Sequence, residues 1–140
     1  MRSIKNTVCV FDWDDTIFPT SAKNLVKKLK TTDLDVAVEQ ALATALAHFD
    51  QVVILSAGTA AWITRSRKQC CTKVDALIQK CKIYARPVKV SGDDHKEMIF
   101  NDLAQGCNKM VSIGDSWSSI LAASKKQYLA ARKAFRSIVL

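Results

Sequence analysis

The sequence predicts an α/β fold, a three-layer sandwich in which a mostly parallel central sheet carries helices on both faces. Three observations support this prediction: short apolar runs recur along the chain, segments with helical spacing separate them, and polar residues cluster where several runs end. Strands that alternate with helices are joined by crossover connections, which give parallel sheets. With 140 residues, 49% of them hydrophobic, the chain is expected to form one domain over residues 1–140.

The first half of the chain alternates strand and helix. Residues 8–11 predict the first strand, and a capping serine opens a short helix over 21–30. Thr32 with Asp35 resembles a capping box, which predicts a helix over 32–48. Apolar residues at helical spacing mark the buried face of that helix: Val38, Leu42, Ala45, Leu46 and Phe49.

The middle of the chain continues this alternation. Residues 52–55 predict the second strand, and capping threonines open two helices, over 59–70 and 72–81. A third strand follows over 83–85 or, if it continues past the proline, over 83–90.

The last third of the chain begins with a helix that contains Lys96 and ends at Gly106. A strand over 110–113 and a helix over 116–125 come next, and residues 128–137 form either a helix or, at their end, a last edge strand. The whole is a Rossmann-like arrangement, in which ligands bind at the carboxyl ends of the strands.

Three carboxylates follow the first strand directly, at Asp12, Asp14 and Asp15. In extended chain Asp12 and Asp14 project to the same side. Two carboxylates in one crevice repel each other, and Mg²⁺, which takes oxygen ligands, relieves that repulsion. One carboxylate can then attack phosphorus while the other transfers protons. The alternative is an acidic turn without chemistry.

The chain resembles the haloacid dehalogenase superfamily at four places, which occur in the order that this family has. The matching elements are Asp12-x-Asp14-x-Thr16 after a strand, Ser56 after Val52-Val53-Ile54-Leu55, Lys96 at a helix start, and Asp115 after Val111-Ser112-Ile113-Gly114. Most members of this superfamily are Mg²⁺-dependent phosphohydrolases. The resemblance extends over residues 8–121.

The resemblance implies a role for each of these residues. Asp12 would be the nucleophile that forms an aspartyl-phosphate, and Asp14 would transfer the proton. Ser56 and Lys96 would hold the phosphoryl oxygens and complete the catalytic set. The cofactor would be Mg²⁺, and its ligands would be Asp12, Asp115 and the main-chain carbonyl of Asp14.

One position departs from the family pattern. A second acidic residue usually follows the fourth element by a few residues, but Ser119 stands in this region. A hydroxyl supplies no charge, so metal affinity is expected to be weaker unless Asp93 or Asp94 compensates. An alternative is therefore a weak or inactive relative that uses the fold to bind phosphate or a partner.

The spacing of these elements bears on the substrate. Relatives that act on small metabolites usually insert a cap domain between the first and second elements or between the second and third. Asp12 and Ser56 are 44 positions apart and Ser56 and Lys96 are 40, and the predicted strands and helices nearly fill both intervals. The resemblance thus implies no cap domain. An open site suits a phosphoprotein or a nucleic-acid end, unless a homo-oligomer supplies the lid.

The composition agrees with an intracellular protein that has no membrane partner. No apolar stretch approaches the roughly 20 residues of a membrane helix, and the N-terminus lacks the features of a secretory signal. Five cysteines without CxxC spacing indicate free thiols. The net charge of +8 agrees with a polyanionic substrate, although solvated surface clusters would give the same charge.

Histidine and tryptophan side chains near the proposed site are assigned structural positions. His95, in the first turn of its helix, is predicted to be solvated, and His48 is predicted to lie on the surface. Trp13 and Trp117 are expected to pack at the sheet edge, and Trp62 to form core or pocket wall.

Overall fold

The computed structural model describes residues 6–20, 32–114 and 129–131. In these ranges the chain forms five strands and four helices. The strands are β1 (Thr7–Asp12), β2 (Gln51–Leu55), β3 (Lys82–Tyr84), β4 (Lys109–Ile113) and β5 (Leu129–Ala131). The helices are α1 (Thr32–His48), α2 (Ala60–Arg67), α3 (Thr72–Ile78) and α4 (Gly92–Gln105).

The strands form one sheet in the order β3-β2-β1-β4-β5, and each neighbouring pair is parallel. The central strand β1 places Asp12 beside Leu55 of β2 and Phe11 beside Ile113 of β4. The residues that follow these three strands therefore emerge at the same edge of the sheet. This is the edge at which open α/β sheets bind ligands.

Apolar side chains cover both faces of the sheet. Alternate residues of β1 point to opposite faces, as the period of a strand requires. Cys9 and Phe11 join a cluster with α1, α2 and α3, whereas Val8 and Val10 join a cluster with α4. The predicted three-layer sandwich, with a parallel sheet and helices on both faces, is confirmed.

Helix α1 has the predicted bounds and the predicted buried face. Helices α2 and α3 end three residues earlier than predicted. The reason is local, because the chain after each helix tightens into i to i+3 hydrogen bonds, such as Cys70 N–H to the Arg67 carbonyl and Cys81 N–H to the Ile78 carbonyl. Thr72 is the first residue of α3 and not its cap, since Cys71 holds the cap position.

Strand β3 ends at Tyr84, so its possible extension to residue 90 is wrong. Pro87 has no N–H to offer a strand ladder. The carbonyls of residues 87, 88 and 90 instead accept hydrogen bonds from the Arg86 guanidinium, which folds this segment into a turn. In the tail, the described residues 129–131 form edge strand β5, near the beginning of the segment 128–137. The rest of that segment, including the end where an edge strand was one of the two predictions, falls outside the described residues. The helices predicted over 21–30 and 116–125 fall outside the described residues.

The five cysteines are free, as predicted. Burial raises the pKa of the Cys9 and Cys70 thiols to about 12 and that of Cys81 to about 11, so all three are protonated at neutral pH. In the part of the chain that the structure describes, no helix is long and apolar enough to cross a membrane.

The apolar layer under α3 gives a direct test of the packing. Ile78 is fully buried, so Ile78→Ala should lower the free energy of unfolding by about 2–5 kcal/mol. Lys80→Ala, two residues further on and exposed, should change it by less than about 0.5 kcal/mol. Urea denaturation of both variants measures the difference, and equal losses would contradict the packing described here.

Candidate active site

The loop after β1 brings two carboxylates to the carboxyl edge of the sheet. Asp12, the last residue of β1, is only 7% exposed. The chain then turns sharply, and the Trp13 carbonyl accepts the backbone N–H groups of residues 16–18. Asp15 takes up a left-handed conformation with φ 56°, which aspartate tolerates better than most residues. This turn places Asp14 immediately beyond the strand.

A buried ion pair joins Asp12 to Lys96 of α4. The Lys96 Nζ lies 3.1 Å from Oδ1 of Asp12, and both side chains are less than a tenth exposed. The same oxygen accepts the Trp13 backbone N–H at 2.9 Å. Charges this deeply buried persist only when they are paired and hydrogen-bonded. Two residues predicted to share the site, 84 positions apart, are thus in direct contact.

The start of α4 is fixed directly against the loop that follows β2. Ser91 caps the helix, and its hydroxyl oxygen accepts the Asp94 N–H at 3.2 Å. Gly92 lies so close to Ala57 that a Cβ there would come within 2.9 Å of the alanine Cβ. Only glycine permits this approach. The close contact sets where α4 begins, and therefore where Lys96 lies.

His95 is buried, so the prediction that it is solvated is wrong. The first turn of α4 packs on the end of β3, and Nε2 of His95 lies 3.3 Å from the Tyr84 carbonyl oxygen. Nδ1 of His95 and the hydroxyl of Thr16 are buried, and neither has a hydrogen-bond partner among the residues described. His48 is exposed, as predicted.

Ser56 is fully buried at the end of β2, in line with the prediction that it reaches the same sheet edge. Its hydroxyl oxygen accepts the Gly58 N–H at 2.9 Å, which closes a tight turn. Arg86 ties this turn to the segment after β3, since its Nε donates to the Ala57 carbonyl at 2.6 Å. Its backbone N–H also donates to the Gly58 carbonyl, at 2.8 Å.

Asp14 is held from two sides. Its Oδ1 accepts hydrogen bonds from the Thr20 hydroxyl at 2.6 Å and from the Trp62 indole N–H at 2.8 Å. The Trp62 ring meets Phe18 edge-on, with ring centroids 5.7 Å apart, and the exposed Arg65 guanidinium lies 5.7 Å from the Trp62 centroid. Trp62 is therefore half-buried and forms a wall of the site, which is one of the two positions predicted for it.

Trp13 lies on the other side of the same loop and is completely buried. Its indole N–H donates to the Ser66 hydroxyl oxygen at 2.9 Å, and Ser66 in turn donates to the Trp62 carbonyl at 2.7 Å. Trp13 stacks parallel to Phe18 at 6.1 Å between ring centroids. Helix α2 is thus joined to the loop after β1 by the indole groups of both tryptophans.

Oxygen ligands suitable for Mg²⁺ lie at this edge. They are the Asp12 carboxylate and the Asp14 main-chain carbonyl, which accepts no hydrogen bond from the residues described. Hard oxygen donors of this kind are what Mg²⁺ prefers, so this part of the predicted ligand set fits the ion. Within 6–20, 32–114 and 129–131 no three His, Cys, Asp or Glu side chains are arranged so that they could hold a metal ion together. The third predicted ligand, Asp115, lies outside these ranges, as do Trp117 and Ser119.

Two residues that complete this geometry, Thr20 and Arg86, were not predicted as site residues. Trp62 was predicted as core or pocket wall, but its contact with Asp14 was not predicted. The sequence does indicate that Trp62 lies near the sheet edge, because it stands in the first turn of a helix that follows a strand. No sequence spacing predicts its contact with Asp14, however, because that contact depends on how α2 packs against the loop after β1. Arg86 acts on backbone carbonyls, which sequence patterns do not identify.

Other solved structures share this fold, among them the following two. A chain of the Pnkp1/Rnl/Hen1 complex superimposes with a TM-score of 0.60 and 14% sequence identity, over 94% of this chain and 47% of that one. Phosphoserine phosphatase, in the structure of a phospho-aspartyl intermediate analogue, superimposes with a TM-score of 0.52 and 14% identity, over 96% of this chain and 91% of that one. This chain therefore spans about half the length of the first and nearly all of the second.

The comparisons by sequence find no match, either to a family model or to a curated protein. At 14% identity the structural matches concern the fold and not the activity. They confirm the haloacid dehalogenase-like fold that the four sequence elements predict.

The ion pair between Asp12 and Lys96 predicts a strong, asymmetric effect on stability. Lys96→Met should lower the free energy of unfolding by about 3–5 kcal/mol, because it deprives a buried carboxylate of its cation. The double variant Asp12→Asn/Lys96→Met should recover much of that loss, since neither charge then remains. Urea denaturation in the presence of a metal chelator measures both.

Lys89→Met is the matched control, because Lys89 is exposed. It should change the free energy of unfolding by less than about 0.5 kcal/mol. If Lys96→Met costs no more than this control, Asp12 does not depend on Lys96 in the way the geometry indicates.

Proposed function

We propose that this protein is a Mg²⁺-dependent phosphohydrolase that acts through an aspartyl-phosphate on Asp12. The observation that carries the proposal is the buried pair of Asp12 and Lys96 at the carboxyl edge of the sheet, with Asp14 held just beyond it. A carboxylate nucleophile, a cation for the phosphoryl oxygens and a second carboxylate for proton transfer are the groups that phosphoryl transfer through an enzyme carboxylate requires.

Each step follows from the placement of these groups. An oxygen of Asp12 forms a bond to phosphorus while the bond from phosphorus to the leaving oxygen breaks, and Asp14 donates a proton to that oxygen. Asp14 then takes a proton from water as the water oxygen attacks phosphorus. The bond between phosphorus and the Asp12 oxygen breaks in the same step, which releases inorganic phosphate and restores the Asp12 carboxylate. The matched phosphoserine phosphatase structure is of a phospho-aspartyl intermediate analogue, which supports the same type of intermediate here.

Lys96 and Ser56 would bind the phosphoryl oxygens. Lys96 already lies against Asp12, so a phosphoryl group bound to that residue would meet its ammonium group. The Ser56 turn leads into α2, whose cap residue Thr59 makes no side-chain capping bond. The first N–H groups of such a helix favour an anion. The charge that develops on the phosphoryl oxygens would then be offset from two sides.

Mg²⁺ would be held by the Asp12 carboxylate, the Asp14 carbonyl and Asp115. When bound, it would neutralise phosphoryl charge and orient the phosphate for in-line attack. The repulsion between the carboxylates and the phosphate makes such a cation necessary, because Lys96 supplies only one positive charge against several negative ones.

The substrate that we propose is a polyanionic, phosphorylated macromolecule, such as a phosphoprotein or a nucleic-acid end. Between Ser56 and Lys96 the chain forms only α2, α3 and β3 with their connections, so no cap domain is inserted there. Arg65 is exposed and lies over the ring of Trp62, and the indole N–H of Trp62 in turn binds Asp14. A cation in this position would meet anionic groups next to the reacting phosphate. The free cysteines fit an intracellular setting.

A weak or inactive phosphate-binding relative is the second candidate. The observation that favours it is Ser119, which stands in the region where the superfamily usually carries a second acid. Such a protein would bind phosphate or phosphorylated partners at the same site without turnover, so the assay below separates the two.

Hydrolysis of an aryl phosphate should require Mg²⁺ and Asp12. Asp12→Asn should abolish turnover because an amide cannot replace the nucleophile. Asp14→Asn should lower the rate by about 10²- to 10⁴-fold, because the leaving oxygen loses its proton donor. Asp102→Asn, an exposed change on α4, is the control and should leave the rate unchanged. More than a few per cent of wild-type activity in Asp12→Asn would exclude the proposed nucleophile.

Phosphorylated peptides or oligonucleotides should inhibit aryl phosphate hydrolysis better than small phosphate esters do. Exposed cations such as Arg65 would attract them, and this attraction should weaken above roughly 0.1 M salt, where the Debye length falls below about 10 Å. Competition measured at low and high salt tests this expectation. High efficiency on one small ester, with no inhibition by either polyanion at any salt concentration, would instead indicate a closed site.

A further inference from the structure

The hydrogen bonds to Asp14 are unevenly shared between its two oxygens. Both Thr20 and Trp62 donate to Oδ1. Among the residues described, none donates to Oδ2. Two donors that converge on one oxygen fix the plane and direction of a carboxylate far better than a single bond does. They leave the second oxygen as the atom that can exchange a proton with a substrate.

The donor on Trp62 is itself held in place. Gly58 lies so near the Trp62 ring that a Cβ there would clash with its Cδ1 atom. Phe18 packs edge-on against the same ring, and the Ser66 hydroxyl bonds the Trp62 carbonyl at 2.7 Å. The indole therefore has contacts on several sides, and its N–H direction is set before any substrate binds.

We infer that Trp62 is a positioning residue for proton transfer: its indole N–H, together with the Thr20 hydroxyl, orients Asp14 so that Oδ2 faces the leaving oxygen. The inference rests on the proposed function, because it assigns Asp14 as the proton donor. It adds a residue from α2 that none of the four sequence elements includes. Trp62 does not touch the reacting atoms in this role, and it acts only through Asp14.

The leaving group of the substrate separates this role from a merely structural one. An alkoxide is a poor leaving group and needs a proton as the bond to phosphorus breaks, whereas a nitrophenolate leaves readily without one. Poor orientation of Asp14 should therefore slow alkyl phosphates much more than 4-nitrophenyl phosphate. General damage to the fold or to phosphate binding would slow both substrates alike.

Trp62→Phe is the test, because phenylalanine keeps an aromatic ring in the contact with Phe18 but has no N–H. The value of kcat for an alkyl phosphate should fall by about 10- to 100-fold, part of the full effect of a general acid. The kcat for 4-nitrophenyl phosphate should fall by no more than about threefold, and KM for both should change little. In an Asp14→Asn background, Trp62→Phe should cause no further loss on the alkyl phosphate, because the group that it orients is absent.

Arg65→Ala is the matched control, since it removes the cation from the face of the same ring and leaves the indole N–H in place. It should not change the ratio of the two kcat values. A readout besides activity is the indole N–H signal in a proton–nitrogen NMR spectrum. The chain has three tryptophans, so Trp62→Phe identifies its signal by loss, and Asp14→Asn should shift that signal most.

The possible outcomes distinguish failure of this inference from failure of the proposed phosphohydrolase function on which it rests. If the wild-type protein hydrolyses both substrates and Trp62→Phe slows them equally, the positioning role is wrong and the phosphatase stands. If Trp62→Phe accelerates the alkyl phosphate, the bond holds Asp14 away from the substrate, and the inference is also overturned. If the wild-type protein hydrolyses neither substrate, both the proposed function and the positioning role fall.

Discussion

The buried ion pair between Asp12 and Lys96 is the constraint on which the rest of the site depends. Neither charge tolerates burial alone, so α4 must start where its second turn can reach the end of β1. Gly92 allows that start by lying against Ala57, and His95 anchors the first turn of the helix at the end of β3. The loops after three strands are thus fixed in relation to one another by the requirement to pair one carboxylate.

The two carboxylates of the first loop have different surroundings, and this difference separates their proposed roles. Asp12 is bonded to a charged ammonium group within the protein interior. Asp14 is bonded to neutral donors, a hydroxyl and an indole, and is only partly buried. The ammonium group beside Asp12 would also meet a phosphoryl group bound to that residue, which suits a nucleophile, whereas the contact of Asp14 with solvent suits a group that exchanges protons with substrate and water.

How much of this the sequence could predict follows from how each feature is encoded. The parallel sheet was predicted correctly from the apolar runs, because a strand that is buried on both faces needs apolar residues on both. Helical spacing likewise predicted the helices that join these strands. That Asp12 and Ser56 reach the same sheet edge follows from parallel topology, whereas the position of Lys96 depends also on the close contact between Gly92 and Ala57. The burial of His95 was missed because a polar residue in the first turn of a helix is usually solvated, and only the docking of α4 on β3 reverses this. The pairing of Trp62 with Asp14 depends on side-chain directions between two loops, which no periodicity records.

Helix α2 contributes to the site in two ways that are physically linked. Its first turn supplies the indole that binds Asp14, and the next turn places Arg65 over the face of the same ring. A substrate anion that draws Arg65 away would weaken a cation–π contact worth about 0.5–1 kcal/mol at an exposed site. The indole itself is held by Gly58, Phe18 and Ser66, so this loss would not free it to turn. Substrate charge can therefore be recognised at Arg65 without disturbing the orientation of Asp14, because the rigid ring separates the binding contact from the proton-transfer group.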